Sequence, residues 1–532
     1  MERRRCTLQL QAKPIKISLY PTVIEIAGYE PHMLKDYEKR LSLYDVPTHH
    51  YTYYAFEYDE DHQLMKFPAG IDADRLVTDL RSHYVNHPVT VTDYRKPNVM
   101  SNIRTMQPVK MKYKPRDNNQ AKAINFLTFN TINNWTGQRM LCLQTGEGKT
   151  YCAVNTVVSM HKIPIVFVNM HNLASQWKDK IQEYTSLTED QIYIFSGGDS
   201  IRKFLAMTKD EKESYQFFIG IYKTLAVLLE EDNEFGMDLQ ELFIRAGISI
   251  KIFDEAHVFY QLINNIDLNS MLPSYYLTAT PKRGNFMEDK VFQQIFYKVN
   301  KYKGTAVHQK YVNVIATHIN TKPTEESQAA VIKDSKHGFA VNTYNNILIN
   351  NERMFSYYYK MLHTLYYQLI LNQGKTKRKT AILFNNIDVI DKVTALLKQE
   401  KNLQDLKIYA YHGKIKKKDK EEALEQGDLL VTTGASLGKG MDVKDLEAVI
   451  SCINSSSSIN ITQIMGRLRY IEGKELYYLD LVDHGYDQIS VQYKRRLTLY
   501  RKKAKSINEV TLPENEQADL EEVEMAKQNE SN

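Results

Sequence analysis

Two short stretches of this chain have the residue types needed to hold phosphate groups and a divalent cation. The first is Gln144-Thr145-Gly146-Glu147-Gly148-Lys149-Thr150, set between an apolar run at 140–143 and a helix-forming segment at 151–160. Glycines let a backbone fold tightly enough to turn its N–H groups toward phosphate oxygens, and a following helix adds the positive end of its dipole. Lys149 can reach β- and γ-phosphates, and the Thr150 hydroxyl can ligate Mg²⁺. The general G-x-x-x-x-G-K-[ST] pattern puts glycine at position 143, where this chain has Leu143, but the Gly-x-Gly-Lys-Thr part is intact. The second stretch is Ile252-Phe253-Asp254-Glu255-Ala256-His257, at the end of another apolar run. A carboxylate leaving a strand beside a phosphate loop is where Mg²⁺ must be held, which suits Asp254, and Glu255 is placed to orient and deprotonate an attacking water. Paired acids after a strand also occur as plain helix caps. The order of the two segments favours the ligand site.

The elements that must position these groups follow a clear pattern. Residues 1 to about 105 read as a small β-rich module, with period-two alternation at 15–20 and 22–26, an aromatic strand-like segment at 48–58, and helical spacing of Leu76, Leu80 and Tyr84. From Asn118 onward, helices alternate with short, largely apolar runs at 140–143, 165–168, 217–221, 248–253 and 275–277. A second set follows a helical stretch at 342–371, with runs at 380–384, 408–411, 429–432, 448–450 and 476–481. Such runs are the mark of parallel sheets buried on both faces. The expected fold is therefore α/β, with two parallel-sheet domains in tandem behind a small β-rich (α+β) N-terminal domain.

Composition narrows the class. The chain has 532 residues, 43% hydrophobic and 25% charged, with only 22 glycines and 14 prolines, which excludes a collagen-like or largely disordered protein. No apolar stretch approaches the ~18 residues that span a bilayer, and the basic start is followed by residues too polar for a signal peptide. Four scattered cysteines (Cys6, Cys142, Cys152, Cys452) form no CxxC pair, so reduced buried thiols are expected rather than a zinc site or a disulfide framework. The expectation is an intracellular enzyme with no membrane partner. Net charge is +5, although seven acids against one lysine lie beyond Leu512, so the body is more basic than the total suggests. That balance fits a polyanion partner.

The motifs, taken in order, resemble those of superfamily 2 helicases. Lys149-Thr150, Asp254-Glu255-Ala256-His257, Thr278-Ala279-Thr280-Pro281 and Gln463-Ile464-Met465-Gly466-Arg467 resemble motifs I, II, III and VI. Residues 168–177 look like motif Ia, Ile221-Tyr222-Lys223-Thr224-Leu225 like motif Ib, Leu383-Phe384-Asn385-Asn386 like motif IV and residues 433–442 like motif V, while Tyr411-His412-Gly413 resembles the segment that follows motif IV. The resemblance covers roughly residues 116–500. Its layout is most similar to the compact UvsW-type and RecG-type enzymes that remodel branched DNA.

The resemblance implies two RecA-like domains, at 106–310 and 311–510, preceded by an N-terminal accessory domain at 1–105 that is a candidate for DNA binding and followed by an acidic disordered tail at 511–532. It implies ATP and Mg²⁺ as cofactors. The nucleotide would be held by Gln120, Thr145, Gly146, Glu147, Gly148, Lys149 and Thr150, with Asp254, Gly440, Asp442 and Arg467. Thr150 and Asp254 would be the metal ligands, Glu255 the catalytic base, Gln463 the orienting group and Arg467 the arginine finger. His257, Thr278 and Thr280 would couple nucleotide state to the nucleic-acid track. The family's second arginine falls at Tyr470, with Arg469 one residue earlier and about 100° away on a helix, so Arg467 carries the role.

Asn169, His171, Thr224, Asn385, Asn386, Gly413 and Thr433 are the expected phosphate-gripping residues, because small polar groups at strand ends suit sequence-independent contact. Basic clusters at 375–379, 414–420 and 494–505 are further candidate duplex surfaces. The aromatic segment at 51–56 could stack on bases but is expected to pack as strand core. The implied activity is an ATP-driven motor, acting as a monomer on forked or branched DNA, in the cytoplasm of a bacterial host if phage-encoded. An RNA helicase and an ATP-switched motor subunit of a restriction or repair assembly are the alternatives.

Overall fold

The computed structural model describes residues 13–45, 48–95, 104–128, 137–144, 146–283, 285–304, 310–333, 338–439, 443–454 and 458–513. Cys6, Thr145, Gly440, Asp442 and the acidic tail beyond Pro513 lie outside the described residues. The chain divides into two compact units, Met1–Thr305 and Ala306–Asn532.

The first unit opens with β1 (Ile15–Leu19), β2 (Val23–Ala27), β3 (Ser42–Asp45), β4 (His50–Tyr54), β5 (Glu57–Asp59), β6 (Leu64–Pro68) and β7 (Val89–Asp93). Among the described residues, five of these form one mixed sheet in the order β5-β6-β2-β1-β7, with only the β1–β7 pairing parallel. Helix Ala73–His83 buries Leu76 and Leu80, and Asp72 caps it by accepting from the Arg75 N–H at 3.2 Å. The separate hairpin β3–β4 departs from expectation. Tyr51 and Tyr54 are 45% and 50% exposed, and only Tyr53 turns inward, donating its hydroxyl to the Gln261 carbonyl at 3.1 Å. The β3–β4 register shifts between Leu43 and Tyr44, and every residue of β4 except Tyr53 is exposed, so the segment is not a core strand.

The larger sheet of the unit contains β8 (Gln138–Cys142), β9 (Pro164–Val168), β10 (Ile192–Phe195), β11 (Phe217–Ile221), β12 (Ile250–Phe253), β13 (Ser274–Thr278) and β14 (Asn300–Lys303). Its order is β10-β11-β9-β12-β13-β8-β14, and every pairing is parallel. The N-terminal sheet and this sheet share one continuous core, from Ile15 to Val299. Polar anchors reinforce the join. The Thr22 hydroxyl reaches the carbonyls of Asp267 and Ser270 at 3.0 and 2.6 Å. Beneath it, fully buried Lys251 pairs with Asp267 at 2.7 Å, and Asp267 also accepts from Ser274 and Tyr276, each at 2.6 Å. An ion pair stripped of water survives only when its remaining hydrogen-bonding capacity is met in this way.

The second unit contains β15 (Val312–Ile319), the short pair β16 (Ile332–Lys333) and β17 (Gly338–Phe339), then β18 (Thr380–Phe384), β19 (Ile408–Tyr411), β20 (Leu429–Thr433), β21 (Ala448–Ser451), β22 (Leu476–Asp483) and β23 (Ser506–Thr511). The main sheet runs β19-β20-β18-β21-β22-β15-β23, again all parallel. Numbering each large sheet's strands from its own first strand gives 3-4-2-5-6-1-7 in both. The two α/β units therefore repeat one topology, as the tandem apolar runs imply. Helix Asp487–Lys503 corrects one surface expectation. Arg496 is 2% exposed, and its Nε donates to Asp480 at 2.8 Å, so it leaves the basic face to Lys494, Arg495, Arg501 and Lys502.

Candidate active site

A parallel sheet brings the carboxyl ends of all its strands to one edge, which is where open α/β folds bind ligands. In the first unit this edge gathers the segments after β8, β9, β11, β12 and β13, and with them motifs that are far apart in sequence.

After β8 the chain turns through Leu143 and Gln144 to Gly146, Glu147 and Gly148 and enters helix Lys149–Ser159. Gly146 and Gly148 take positive φ values of +85° and +92°, a region closed to most side chains. The loop is braced from behind. Glu147 accepts from the Gln144 N–H at 2.7 Å, and the Gln120 amide donates to the Glu147 carbonyl at 3.2 Å. Gln120 in turn accepts from the Arg116 N–H at 2.8 Å, and Asp117 holds the Gln120 N–H at 2.8 Å. A Cβ on Gly148 would collide with the Gln120 Nε2. Lys149 donates to the carbonyl of Leu143 at 3.1 Å, across the mouth of the loop.

Asp254 and Glu255 leave β12 at the same edge. Asp254 Oδ2 accepts the indole N–H of Trp177 at 2.9 Å, and Oδ1 accepts the Glu255 N–H at 3.0 Å. Burial and then the neighbouring Glu255 raise the Asp254 carboxyl above its ordinary range, while the Trp177 hydrogen bond and Lys149 pull the other way. Glu255 has φ +47°, a left-handed conformation that a glutamate holds only where its surroundings enforce it. Buried His257 links to the next strand, its Nδ1 2.9 Å from the Thr278 hydroxyl and 3.5 Å from Glu255 Oε2. Thr278 also accepts from the Thr280 N–H at 3.1 Å, and Arg283 donates to the His257 carbonyl at 2.7 Å. The Gln144 amide reaches the Ala279 carbonyl at 3.4 Å, joining the phosphate loop to the segment after β13.

These residues fit a Mg²⁺-bound nucleotide. The left-handed glycines and the helix N-terminus suit phosphate oxygens. Thr150 and Asp254 offer a hydroxyl and a carboxylate, the hard oxygen donors that Mg²⁺ takes.

The proposed gripping residues are placed unevenly. In the first unit, Asn169 follows β9 and exposed His171 opens helix His171–Tyr184, with its Nδ1 2.8 Å from the Ser196 hydroxyl. Thr224 is 9% exposed, and its hydroxyl accepts from the Gly197 N–H at 2.8 Å, so it braces the loop after β10 rather than facing solvent. In the second unit, Asn385 and Gly413 are exposed at strand ends. Asn386 caps helix Ile387–Gln399, accepting from the Asp388 N–H at 2.7 Å. Thr433 accepts from the Ser436 N–H at 3.1 Å. Arg467 donates to the Gly438 carbonyl at 2.7 Å, and buried Gln463 lies on helix Ser458–Met465. Arg469 and Tyr470 are exposed.

Trp177, Arg283 and Gln144 carry no individual role in the sequence, although Gln144 opens the phosphate-loop stretch and Trp177 closes the segment 168–177. Only Trp177 had a legible signal. It falls on the apolar stripe with Ala174 and Ile181, and a buried indole N–H requires an acceptor.

Residues 112–283 match the family model "Type III restriction enzyme, res subunit", and residues 360–470 match "Helicase conserved C-terminal domain". In this order the two matched segments are similar to the paired domains of superfamily 2 helicases, and helicase domains imply a nucleic-acid-dependent ATPase. Among named proteins, it is 28% identical over 207 residues to the "Putative DNA 3'-5' helicase Rad25" of Haloarcula marismortui, covering 37% of this chain and 30% of that one. It is 22% identical over 346 residues to the "Transcript termination protein A18" of Fowlpox virus, covering 62% of this chain and 66% of that one. The chain thus spans between 30% and 66% of the length of these relatives. The crystal structure of T4 UvsW aligns with 94% of this chain and 100% of its own, at 14% identity and a TM-score of 0.35. No helix among the described residues is long and apolar enough to cross a membrane.

Proposed function

We propose that this protein is an ATP-dependent DNA helicase or translocase that couples ATP hydrolysis to unwinding or branch migration of forked or branched DNA. The observation that carries the reading is the convergence, at one sheet edge, of the glycine loop with Lys149, the Asp254–Glu255 pair and the His257–Thr278 contact. Its working parts are an accessory domain at 1–105, motor domains at 106–310 and 311–510, and the acidic segment at 511–532. Similarity to a relative named as a DNA 3'-5' helicase supports DNA as the polymer.

In this reading the loop amides and Lys149 bind the β- and γ-phosphates. Thr150 and Asp254 would hold Mg²⁺, which when bound would supply charge neutralisation at the phosphates and polarisation of the γ-phosphoryl group. Glu255 takes a proton from the attacking water as the bond from the γ-phosphorus to the bridging oxygen breaks. Gln463 orients the reacting groups, and Arg467 offsets the charge that develops on the transferring oxygens. Gln120, Gly440 and Asp442 complete the nucleotide contacts. His257, Thr278 and Thr280 pass the change in nucleotide state to Asn169 and His171, while Asn385, Asn386, Gly413 and Thr433 grip from the second domain. Thr224 contributes by bracing.

The match of residues 112–283 to a restriction-enzyme subunit favours one second reading, an ATP-switched motor subunit of a larger assembly. ATPase assays with forked DNA, plain duplex, single strands and RNA separate the readings. Greatest stimulation by forks supports the proposal, and stimulation by RNA alone replaces DNA as the substrate. Nucleotide binding without stimulation by any of them supports the subunit.

A further inference from the structure

The Asp254 carboxylate is held by two donors of different kinds. Oδ1 takes a backbone N–H from its own turn, whereas Oδ2 takes the indole N–H of Trp177, 77 residues away in sequence. The two strands concerned, β9 and β12, are parallel neighbours, so the helix that follows β9 runs beside the end of β12. Trp177 is 3% exposed and is fixed on the buried stripe of that helix with Ala174 and Ile181. A second aromatic from the next segment, Tyr222, directs its hydroxyl to the Asp254 carbonyl oxygen at 3.4 Å.

A carboxylate beside another acid must choose between rotating away, taking a proton and being pinned. With one N–H on each oxygen, the plane of the Asp254 carboxylate is fixed. Each oxygen accepts more than one partner, so neither donor removes the capacity to ligate a cation. The indole N–H suits this task because it only donates and its ring is locked by packing.

We propose that Trp177 is a positioning residue for Mg²⁺-nucleotide binding, its indole N–H setting the orientation of the Asp254 carboxylate. The proposal rests on the nucleotide-site reading given above and adds to it a residue on a different helix. The same helix begins at His171, an expected contact of the nucleic-acid track.

The test is equilibrium binding of a fluorescent ATP analogue to the full chain across a Mg²⁺ titration, in wild type, Trp177→Phe, Asp254→Asn and the double variant. Phenylalanine keeps a buried aromatic ring, smaller than the indole, and removes the donor. Hydrogen bonds to charged groups set the expected scale, so Trp177→Phe should raise the Mg²⁺ half-saturation about tenfold. Affinity for the analogue without Mg²⁺ should stay within about twofold. On the Asp254→Asn background the same change should add less than about twofold, because the effect runs through the carboxylate. An unmoved half-saturation, or an equal shift with and without the Asp254 carboxylate, overturns the proposal. If wild type itself shows no Mg²⁺-dependent nucleotide binding, the nucleotide-site reading fails and takes this inference with it. Should Trp177→Phe not fold, Trp135→Phe leaves Trp177 as the sole tryptophan. Its emission should then follow Mg²⁺ in the presence of ATP with the half-saturation of binding, and an emission indifferent to Mg²⁺ overturns the proposal.

Discussion

His257 Nδ1 lies 2.9 Å from the hydroxyl of Thr278, a buried contact between the turn after β12 and the end of β13. One residue follows the acid pair, and the other leads into the segment that the phosphate loop touches through Gln144. Replacing Thr278 with Val keeps the shape and removes the link. Nucleotide affinity should stay within about twofold while nucleic-acid stimulation of ATPase falls at least about fivefold, the lower end of ordinary coupling between sites. Parallel binding and ATPase assays check this. Loss of affinity with stimulation intact would assign Thr278 to the nucleotide instead.

Gly148 offers a sharper steric test. Its φ of +92° and the collision that any Cβ there would have with Gln120 Nε2 both exclude a side chain. Gly148→Ala should weaken ATP binding at least about fivefold, since the loop must rearrange at a cost of order 1–3 kcal/mol. Pairing it with Gln120→Ala should recover part of the loss, because only the steric component is relieved. Binding of the fluorescent analogue to both variants checks this.

Lys251 is buried with Asp267 and the hydroxyls that complete its shell. Lys251→Met strands an uncompensated carboxylate, and breaking such a pair costs about 3–5 kcal/mol. Urea unfolding of the first unit should shift accordingly. A loss below about 1 kcal/mol would mean that Asp267 finds another route to satisfaction.

Much of the fold was legible because β9, β11, β12, β18 and β21 are buried along their whole length and read as short, mostly apolar runs, with Lys251 the one charged residue among them. The large-sheet strands β10, β14, β15 and β23 were not among the runs read from the sequence. β14 and β23 lie at sheet edges and carry Lys301, Lys303, Asn508 and Glu509. β15 is buried throughout but contains Asn313, Thr317 and His318, and at least Asn313 and His318 have partners outside the strand, Ser506 and His484. The phosphate loop and acid pair could be read locally, since each is contiguous in sequence. The partner of Asp254 could not, because a hydrogen bond from Trp177 depends on two strands becoming neighbours.

His318, His484 and Glu509 form a chain across β15, the end of β22 and β23, with the two imidazole rings stacked at 4.6 Å. Burial, and then His318, lower the His484 pKa from its ordinary 6.5, while Glu509 acts in the opposite sense. Because the folded form binds this proton less readily than the unfolded form, its stabilisation is full above pH 6.5 and is lost as pH falls below it. Urea midpoints of the second unit should therefore drop as pH is lowered from 7 toward 5. His484→Gln should flatten that slope, and an unchanged slope would place the titrating group elsewhere.

Glu255→Gln tests the central claim most directly, because it removes a base while keeping size and polarity. With the full chain and saturating fork DNA, the account predicts ATP affinity within about threefold of wild type and hydrolysis slowed at least ~100-fold, the lower bound for loss of a general base. Hydrolysis at the wild-type rate with binding intact would contradict it.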